Sequence, residues 1–338
     1  MEKEKLEKIL SALKPGIASR EIIEEMTHFT FTGDRVLTYN EEVCVSHPLQ
    51  TDFGCSVSAQ DMLDGLKKAK DEKVKLEMVD KTLCLTSKDQ DVEMYTSQDE
   101  EIKNRALAVV TDATNDDWLP VPEDFTDCMF LTMFSASTQE VDGSLQGICV
   151  VEDKTYSCDR LRMTRCTMKA PMKSFTIRAP VAKDLRKYSL KQYNTSPNWI
   201  NFRTEDDVIF SVKVLAEEYP YKDLETQFDL QGLRLTLPDS LQEAAQDLIT
   251  WTEGELDFHK TISVLIDNNM MLVEGKKDSG LMRKRIITEY QGDPVKFLIS
   301  PVYLSAILEK GVTRMIVGEK RAAFRKSNMI HLMQLQAQ

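Results

Sequence analysis

No apolar run in this 338-residue chain approaches the roughly 18 to 20 residues that a membrane-spanning helix needs. The segment Met1-Glu2-Lys3-Glu4-Lys5 is charged from its second residue, so neither secretion nor membrane insertion is expected. CxxC pairs are missing as well. The seven cysteines, Cys44, Cys55, Cys84, Cys128, Cys149, Cys158 and Cys166, form an odd set, several of them inside apolar runs such as Gly147-Ile148-Cys149-Val150-Val151. That usage suits reduced, partly buried thiols of a cytoplasmic protein rather than a disulfide framework. There is no GxxxxGK[ST], no GxGxxG and no GxSxG. The four histidines, His28, His47, His259 and His331, are scattered without HxxxH or HExxH spacing, so neither a metal nor a cofactor is expected. Asp116-Asp117 falls at a boundary and Glu205-Asp206-Asp207 in a tight turn, where solvated carboxylates are the ordinary outcome. No enzyme class is therefore favoured. Positive charge is in deficit, 43 Lys and Arg against 55 Asp and Glu for a net −12. This argues against a general coat for polyanions but leaves local basic patches open.

Against these absences stands a repeat. Phe53, Phe175 and Phe297 are spaced 122 residues apart, and an aliphatic residue follows each ten positions later, Leu63, Leu185 and Ile307. Repetition at domain length points to one module written three times. With 42% hydrophobic residues the chain can also bury a sizeable core. Leu6, Ile9, Leu10 and Leu13 give one helical stripe that Pro15-Gly16 should end. Residues 27–32, 36–39 and 42–46 then read as a meander of antiparallel strands turning through Gly33-Asp34. The same order returns twice. A helix over 123–134 precedes strands 147–151 and 155–158 with a turn at 152–154, and a helix over 239–250 precedes strands 260–266 and 270–274.

Each phenylalanine opens the second half of its module. Helices are expected over 60–70, 181–191 and 302–309, followed by strands 74–79 and 82–87, 199–203 and 208–214, and 314–317 and 329–332. The distance from each phenylalanine to its next strand varies, so compensating insertions underlie the equal spacing. The result is an α+β chain of three similar domains, 1–117, 118–230 and 231–338, each of two helix-plus-antiparallel-strands halves. The acidic stretch Gln98 to Asp117 reads either as an added element or as a distorted strand pair.

Four passages carry a family resemblance: Gln139-Glu140-Val141 leading to Leu145-Gln146-Gly147; Cys158-Asp159-Arg160-Leu161-Arg162-Met163; Phe210-Ser211-Val212-Lys213-Val214-Leu215 with Glu218-Tyr219-Pro220-Tyr221; and the terminal Met329-Ile330-His331-Leu332-Met333-Gln334-Leu335. In this order and spacing they resemble the bacterial-type DNA polymerase III beta sliding clamp, the processivity factor of the replicative polymerase. The second is similar to its Thr-Asp-Gly-His-Arg-Leu motif, the third to its Phe-x-x-Lys-Leu and Phe/Tyr-Pro-x-Tyr segments, the last to its Val-Met-Pro-Met-Arg-Leu strand. Arg160 and Leu161 replace the family's glycine and histidine, Leu332 and Gln334 its proline and arginine, and Gln336-Ala337-Gln338 runs past its usual end. The chain thus looks like a divergent member, from a bacterium or a virus-infected bacterial cell.

The resemblance implies the DNA clamp fold: two chains closed head to tail into a ring with outer sheets and inner helices, sliding on double-stranded DNA without reading its sequence. It implies as partners a DNA polymerase, a clamp loader, other clamp-motif peptides and a second copy of the chain. For DNA, Lys183, Lys187 and Lys191 repeat at i, i+4, i+8 with Arg186 beside them, and Lys67, Lys68 and Lys70 follow the apolar Met62, Leu63 and Leu66. Each set reads equally as a DNA-facing or a merely solvated face. Arg20 and Gln139 match family positions that touch DNA, although two neighbouring tyrosines of the family are Gly143 and Ser144 here. Asp124, Asp127, Glu243 and Asp247 on other inner helices make the basic lining uneven. A partner-peptide groove would draw on Leu145, Arg162, Met163, Met329, Ile330, Leu332 and Met333. The dimer interface would join Met94 and Tyr95 of one copy to Leu248 and Ile249 of the other. A repeat-built protein scaffold that never encircles DNA is the competing reading.

Overall fold

The computed structural model describes residues 1–19, 24–97, 100–115 and 117–336, which fold as two compact units, 1–121 with 183–216 and 122–182 with 217–338. In chain order the elements are α1 (Lys3–Ala12), β1 (His28–Thr32), β2 (Arg35–Tyr39), β3 (Val43–Pro48), β4 (Gly54–Ser58), α2 (Ala59–Lys68), β5 (Lys75–Val79), β6 (Thr82–Thr86), β7 (Asp91–Tyr95), α3 (Glu101–Asn115) and β8 (Leu119–Pro120). Next come α4 (Phe125–Thr132), β9 (Gly147–Cys158), β10 (Arg162–Arg178), α5 (Val181–Leu185), β11 (Leu190–Ser196), β12 (Trp199–Thr204), β13 (Ile209–Lys213) and α6 (Tyr221–Glu225). The chain ends with β14 (Leu233–Thr236), α7 (Ser240–Leu248), β15 (Ile262–Asp267), β16 (Met270–Lys277), β17 (Gly280–Ile287), β18 (Val295–Ile299), α8 (Pro301–Leu308), β19 (Arg314–Val317), β20 (Arg321–Lys326) and β21 (Met329–Gln334).

The first unit is built on an eight-stranded sheet in the order β4, β1, β2, β3, β13, β12, β11, β8, with β5, β6 and β7 forming a separate small sheet. Alternation along β2 assigns its two faces. Thr38 donates its hydroxyl to the Leu13 carbonyl at 2.6 Å, on the side of α1. Leu37 and Tyr39 point the other way, where Ala106, Val109, Val110 and Ala113 of α3 pack against Leu37, Cys44, Trp199 and Ile209. Glu101–Asn115 of the acidic stretch are therefore a helix and not a distorted strand pair. Its apolar residues at helical spacing, Ile102, Ala106, Val109, Val110 and Ala113, are buried, but acidic neighbours dilute the stripe in the sequence. Gln98, Asp99 and Asp116 lie outside the described residues. Val109→Asp should destabilise this unit by about 2–4 kcal/mol, because a carboxylate would replace a 6% exposed side chain on the sheet; urea unfolding measures it.

The helix expected over 181–191 stops at Leu185. The Lys187 and Tyr188 amides close back on the Asp184 and Leu185 carbonyls at 2.9 and 3.1 Å, a tight i to i−3 ending. Tyr188 then anchors the turn, with its ring 5.0 Å from Phe210 and its hydroxyl donating to the Ala12 carbonyl. Leu190 already pairs with Thr204 in β11, so Lys191 belongs to a strand and not to the lysine face of a helix.

The second unit holds a six-stranded sheet in the order β14, β19, β20, β21, β10, β9 and a four-stranded one in the order β17, β16, β15, β18. Instead of the two short strands expected at 147–151 and 155–158, β9 runs unbroken to Cys158 against the long β10. The expected turn is absorbed as an irregularity. Glu152 takes a positive φ of 53° and the register shifts between Thr167, Met172 and Phe175 of β10. Strands of neighbouring expected domains also join in common sheets: β13 pairs with β3, and β21 with β10. Each compact unit thus holds one outer expected domain together with part of the middle one.

Candidate functional site

One face of the six-stranded sheet carries an apolar surface that the chain itself covers only in part. Cys149, Tyr156, Cys158, Ile316, Ala323 and Leu332 form its floor, and Tyr219, Leu224 and Phe228 of the segment after β13 lie on it. Glu225 pins that segment, accepting from Lys154 Nζ at 2.9 Å, Tyr156 Oη at 2.8 Å and Arg165 at 2.7 Å. Burial opposes the Glu225 charge, yet these three donors hold its pKa below the usual carboxylate value. Arg165 also lies 4.9 Å over the Phe228 ring. At the margin Leu145, Val151, Met163, Tyr221, Leu230 and Ile330 remain partly exposed. Leu145 is held there by the loop before it, where the Ser144 amide donates to Glu217 at 2.8 Å. Gly143 has a φ of 51°, and a Cβ there would run into the Glu217 carboxylate.

Antiparallel pairing sorts the seven groove residues expected from the sequence. Met163 lies opposite Leu332, and Arg165 opposite Ile330, which brings Met163, Ile330 and Leu332 together with Leu145 on this face, with Leu332 as the buried floor. Arg162, Met329 and Met333 alternate to the opposite face. There Met329 and Met333 are buried, and Arg162 bonds Asp159 at 2.7 Å while stacking 4.2 Å over Tyr303. Consecutive residues of one strand cannot share a face. Tyr156, Val151, Leu224, Phe228 and Leu230 were missed by the sequence reading. The Leu224 and Phe228 spacing of four, following Tyr219-Pro220-Tyr221, is the signal that could have found part of this cover.

The expected DNA contacts cluster in the first unit. Lys67 and Lys68 stand exposed in the last turn of α2, with Lys70 just beyond, and none of the three makes an ion pair among the described residues. Lys3 Nζ bonds the Ala69 carbonyl at 2.6 Å, tying α1 to the end of α2. The Tyr188 bond to Ala12 brings residues 183–188 to the same helical side. Lys183 and Arg186 are exposed there, Lys187 pairs with Asp184 at 2.6 Å, and Lys191 on β11 pairs with Glu205 at 3.2 Å. Exposed pairs of this kind are weak and exchangeable. In the second unit α4 and α7 carry Asp127, Glu243 and Asp247, and α8 has no charge at all. Gln139 is exposed, its carbonyl accepting from Gln146 at 3.0 Å. Arg20 lies outside the described residues.

Of the four expected dimer residues, Met94 and Leu248 are buried within their own units, Ile249 is half-buried, and Tyr95 is 85% exposed. No helix among the described residues is long and apolar enough to cross a membrane. Nor does any group of three or more His, Cys, Asp and Glu side chains among them form a metal-holding cluster.

No protein-family model matches the chain, and no curated protein matches it by sequence. Solved structures do match, end to end. The beta subunit of DNA polymerase III from Pseudomonas aeruginosa superposes with a TM-score of 0.86 at 14% identity, covering 99% of this chain and 98% of that one. The DNA polymerase beta subunit of Streptococcus pyogenes gives 0.86 at 15%, covering 100% and 99%. A P. aeruginosa sliding clamp bound to griselimycin gives 0.83 at 14%, covering 100% and 98%. Such identities leave sequence similarity aside and establish the fold: this chain has the sliding-clamp fold over its whole length.

Proposed function

We propose that this chain is a DNA sliding clamp, a non-catalytic processivity factor that encircles duplex DNA and tethers a DNA polymerase to it. The observation that carries the reading is the full-length clamp fold at TM-scores of 0.82 to 0.86. Two copies joined head to tail would close a ring, with helices toward the DNA and sheets outward. Retention is then topological. DNA can slide through but cannot leave sideways, so no base-specific contact is needed.

Sliding demands weak, exchangeable attraction to phosphates, because tight ion pairs would bring friction and a steep salt dependence. Exposed Lys67, Lys68, Lys70, Lys183, Arg186 and Lys187 supply such attraction from the first unit. The partly covered apolar face around Leu145, Met163 and Ile330 supports the docking of polymerase, clamp-loader and other clamp-motif peptides with aromatic or aliphatic anchors. The acidic or uncharged helices of the second unit favour the scaffold reading instead, and one experiment separates the two. Protein loaded by its loader on nicked circular DNA should stay on the circles and run off once the DNA is linearised. Equal retention on both forms, or no loading in the presence of an active loader, rejects the clamp.

A further inference from the structure

Two of the seven cysteines meet in the second unit. Cys128 of α4 and Cys166 of β10 lie 38 positions apart in the chain, and their sulfurs stand 2.9 Å apart in a hydrogen bond. Unbonded carbon atoms settle at about 3.5–4.0 Å, so this contact is unusually close. A disulfide needs about 2.05 Å, a further approach of about 0.9 Å. Both residues are buried, at 1% and 0% exposure. No other sulfur to sulfur hydrogen bond occurs among the described residues.

The backbone on both sides of the pair is already fixed. The Lys169 amide donates to the two Asp124 carboxylate oxygens at 3.1 and 3.2 Å, and Lys169 Nζ reaches Glu123 at 2.9 Å, which ties the start of α4 to β10 beside the sulfurs. Cys166 in turn sits between Thr155 of β9 and Met329 of β21 in the sheet. Joining the sulfurs therefore asks for no movement of helix or strand. Asn328, half-buried at the start of β21, donates its side-chain amide to Cys128 Sγ at 3.4 Å and to the Thr167 carbonyl at 2.8 Å.

We propose that Cys128 and Cys166 are a redox modification site, at which a peroxide joins the two sulfurs into a disulfide that staples α4 to β10. This stands whether or not the chain encircles DNA. A rotation of the Asn328 amide opens Cys128 to a molecule as small as hydrogen peroxide. One thiol takes an oxygen from the peroxide, becoming a sulfenic acid and releasing water, and the second thiol then displaces that hydroxyl as a second water. In sum two thiols lose two protons and two electrons, and one hydrogen peroxide is reduced to two waters. The hydrogen bond with Cys166, and then burial, push the Cys128 thiol well above its ordinary pKa. Cys128 thus offers little thiolate, and the site responds to sustained exposure, faster in alkali. Cys166 alternates with Arg165 along β10, so the bond forms on the sheet face opposite the groove. Closing a loop of this length in the unfolded chain stabilises the second unit.

Peptide mapping tests it on the full chain. Protein held for hours in excess hydrogen peroxide, quenched with catalase and then alkylated in denaturant should yield two proteolytic peptides linked through Cys128 and Cys166. Dithiothreitol should break the link and lower the melting temperature of the oxidised protein by about 5–10 °C, the shift expected of a loop of this length. Methionine sulfoxide survives dithiothreitol, so the reversible part of the shift belongs to the disulfide. Cys128→Ser and Cys166→Ser, treated alike, should show neither the link nor a reversible shift. Should either variant fail to fold, the map of the parent still decides. Both cysteines recovered as free thiols after oxidation, either one carried to sulfinic acid without a link, or a link that forms only when peroxide is added in urea overturns the inference. So does a link whose reduction leaves the melting temperature unchanged.

Discussion

Replacing Met163 and Ile330 together by aspartate should weaken binding of a fluorescent peptide with leucine and phenylalanine anchors by about 100-fold or more. Both side chains sit at the open margin of the apolar face, packed against a floor that includes Leu332 and Tyr156. A docking anchor would have to desolvate the new carboxylates, and an unpaired charge at the centre of an interface is among its costliest changes. The fold should survive, because neither residue is fully buried and aspartate there can stay hydrated in the free protein. Arg162→Ala is the informative contrast. Arg162 lies on the same strand but stacks over Tyr303 on the opposite face, so its loss should lower the melting temperature and leave peptide affinity nearly unchanged. Fluorescence anisotropy and thermal melts read both. Equal loss of affinity in Arg162→Ala would mean that the peptide does not lie on the Met163 face.

The contrast shows how much of the site could be read from residues alone. Repetition, helix starts and meander order were legible because each half-unit writes them locally: Leu6, Ile9 and Leu10 are one buried stripe of α1, and Ser300 caps α8 through the Tyr303 amide at 3.5 Å. Strand faces were less legible. The terminal run 329–335 is apolar almost throughout, so its period of two is hidden until pairing with β10 shows which side each residue takes. α3 was hidden for the opposite reason. Its buried side includes Ala106 and Ala113, small residues that carry little hydrophobic signal, and the wall they meet comes from β2, β3, β12 and β13. The truncated helix at Val181–Leu185 depends on Tyr188 finding Phe210 and the Ala12 carbonyl. Contacts at that distance along the chain leave no periodic trace.

Acid should destabilise the second unit in two stages, the first set by His331. This side chain on β21 is fully buried, with Nδ1 2.9 Å from the Thr164 hydroxyl and 3.3 Å from that of Ser135, and with Nε2 left without a partner. The rings of Phe134 and Phe324 stand 4.9 and 6.1 Å away. Burial first, and then the positive charge of Arg162, hold its pKa well below 6.5. The unfolded chain therefore takes up the proton first. The stabilisation is complete above about pH 6.5 and drains as pH falls toward the folded-state value, at up to about 1.4 kcal/mol per pH unit. Glu225 follows at lower pH. Its folded pKa is also depressed, so its contribution is present above about pH 4.5 and is lost as pH drops through the folded value. His331→Asn keeps an acceptor for Thr164 but removes the titration. Its stability, measured by urea unfolding between about pH 7.5 and 5, should be lower than the parent's at neutral pH and should fall less steeply, the remaining slope coming from His47 of the first unit, which burial also holds below its usual value. A slope in His331→Asn as steep as the parent's would move the first acid-sensitive group of the second unit elsewhere. Because His331 stays neutral in the folded chain as pH falls below about 6.5, peptide affinity should stay nearly constant where stability first declines, in parent and variant alike.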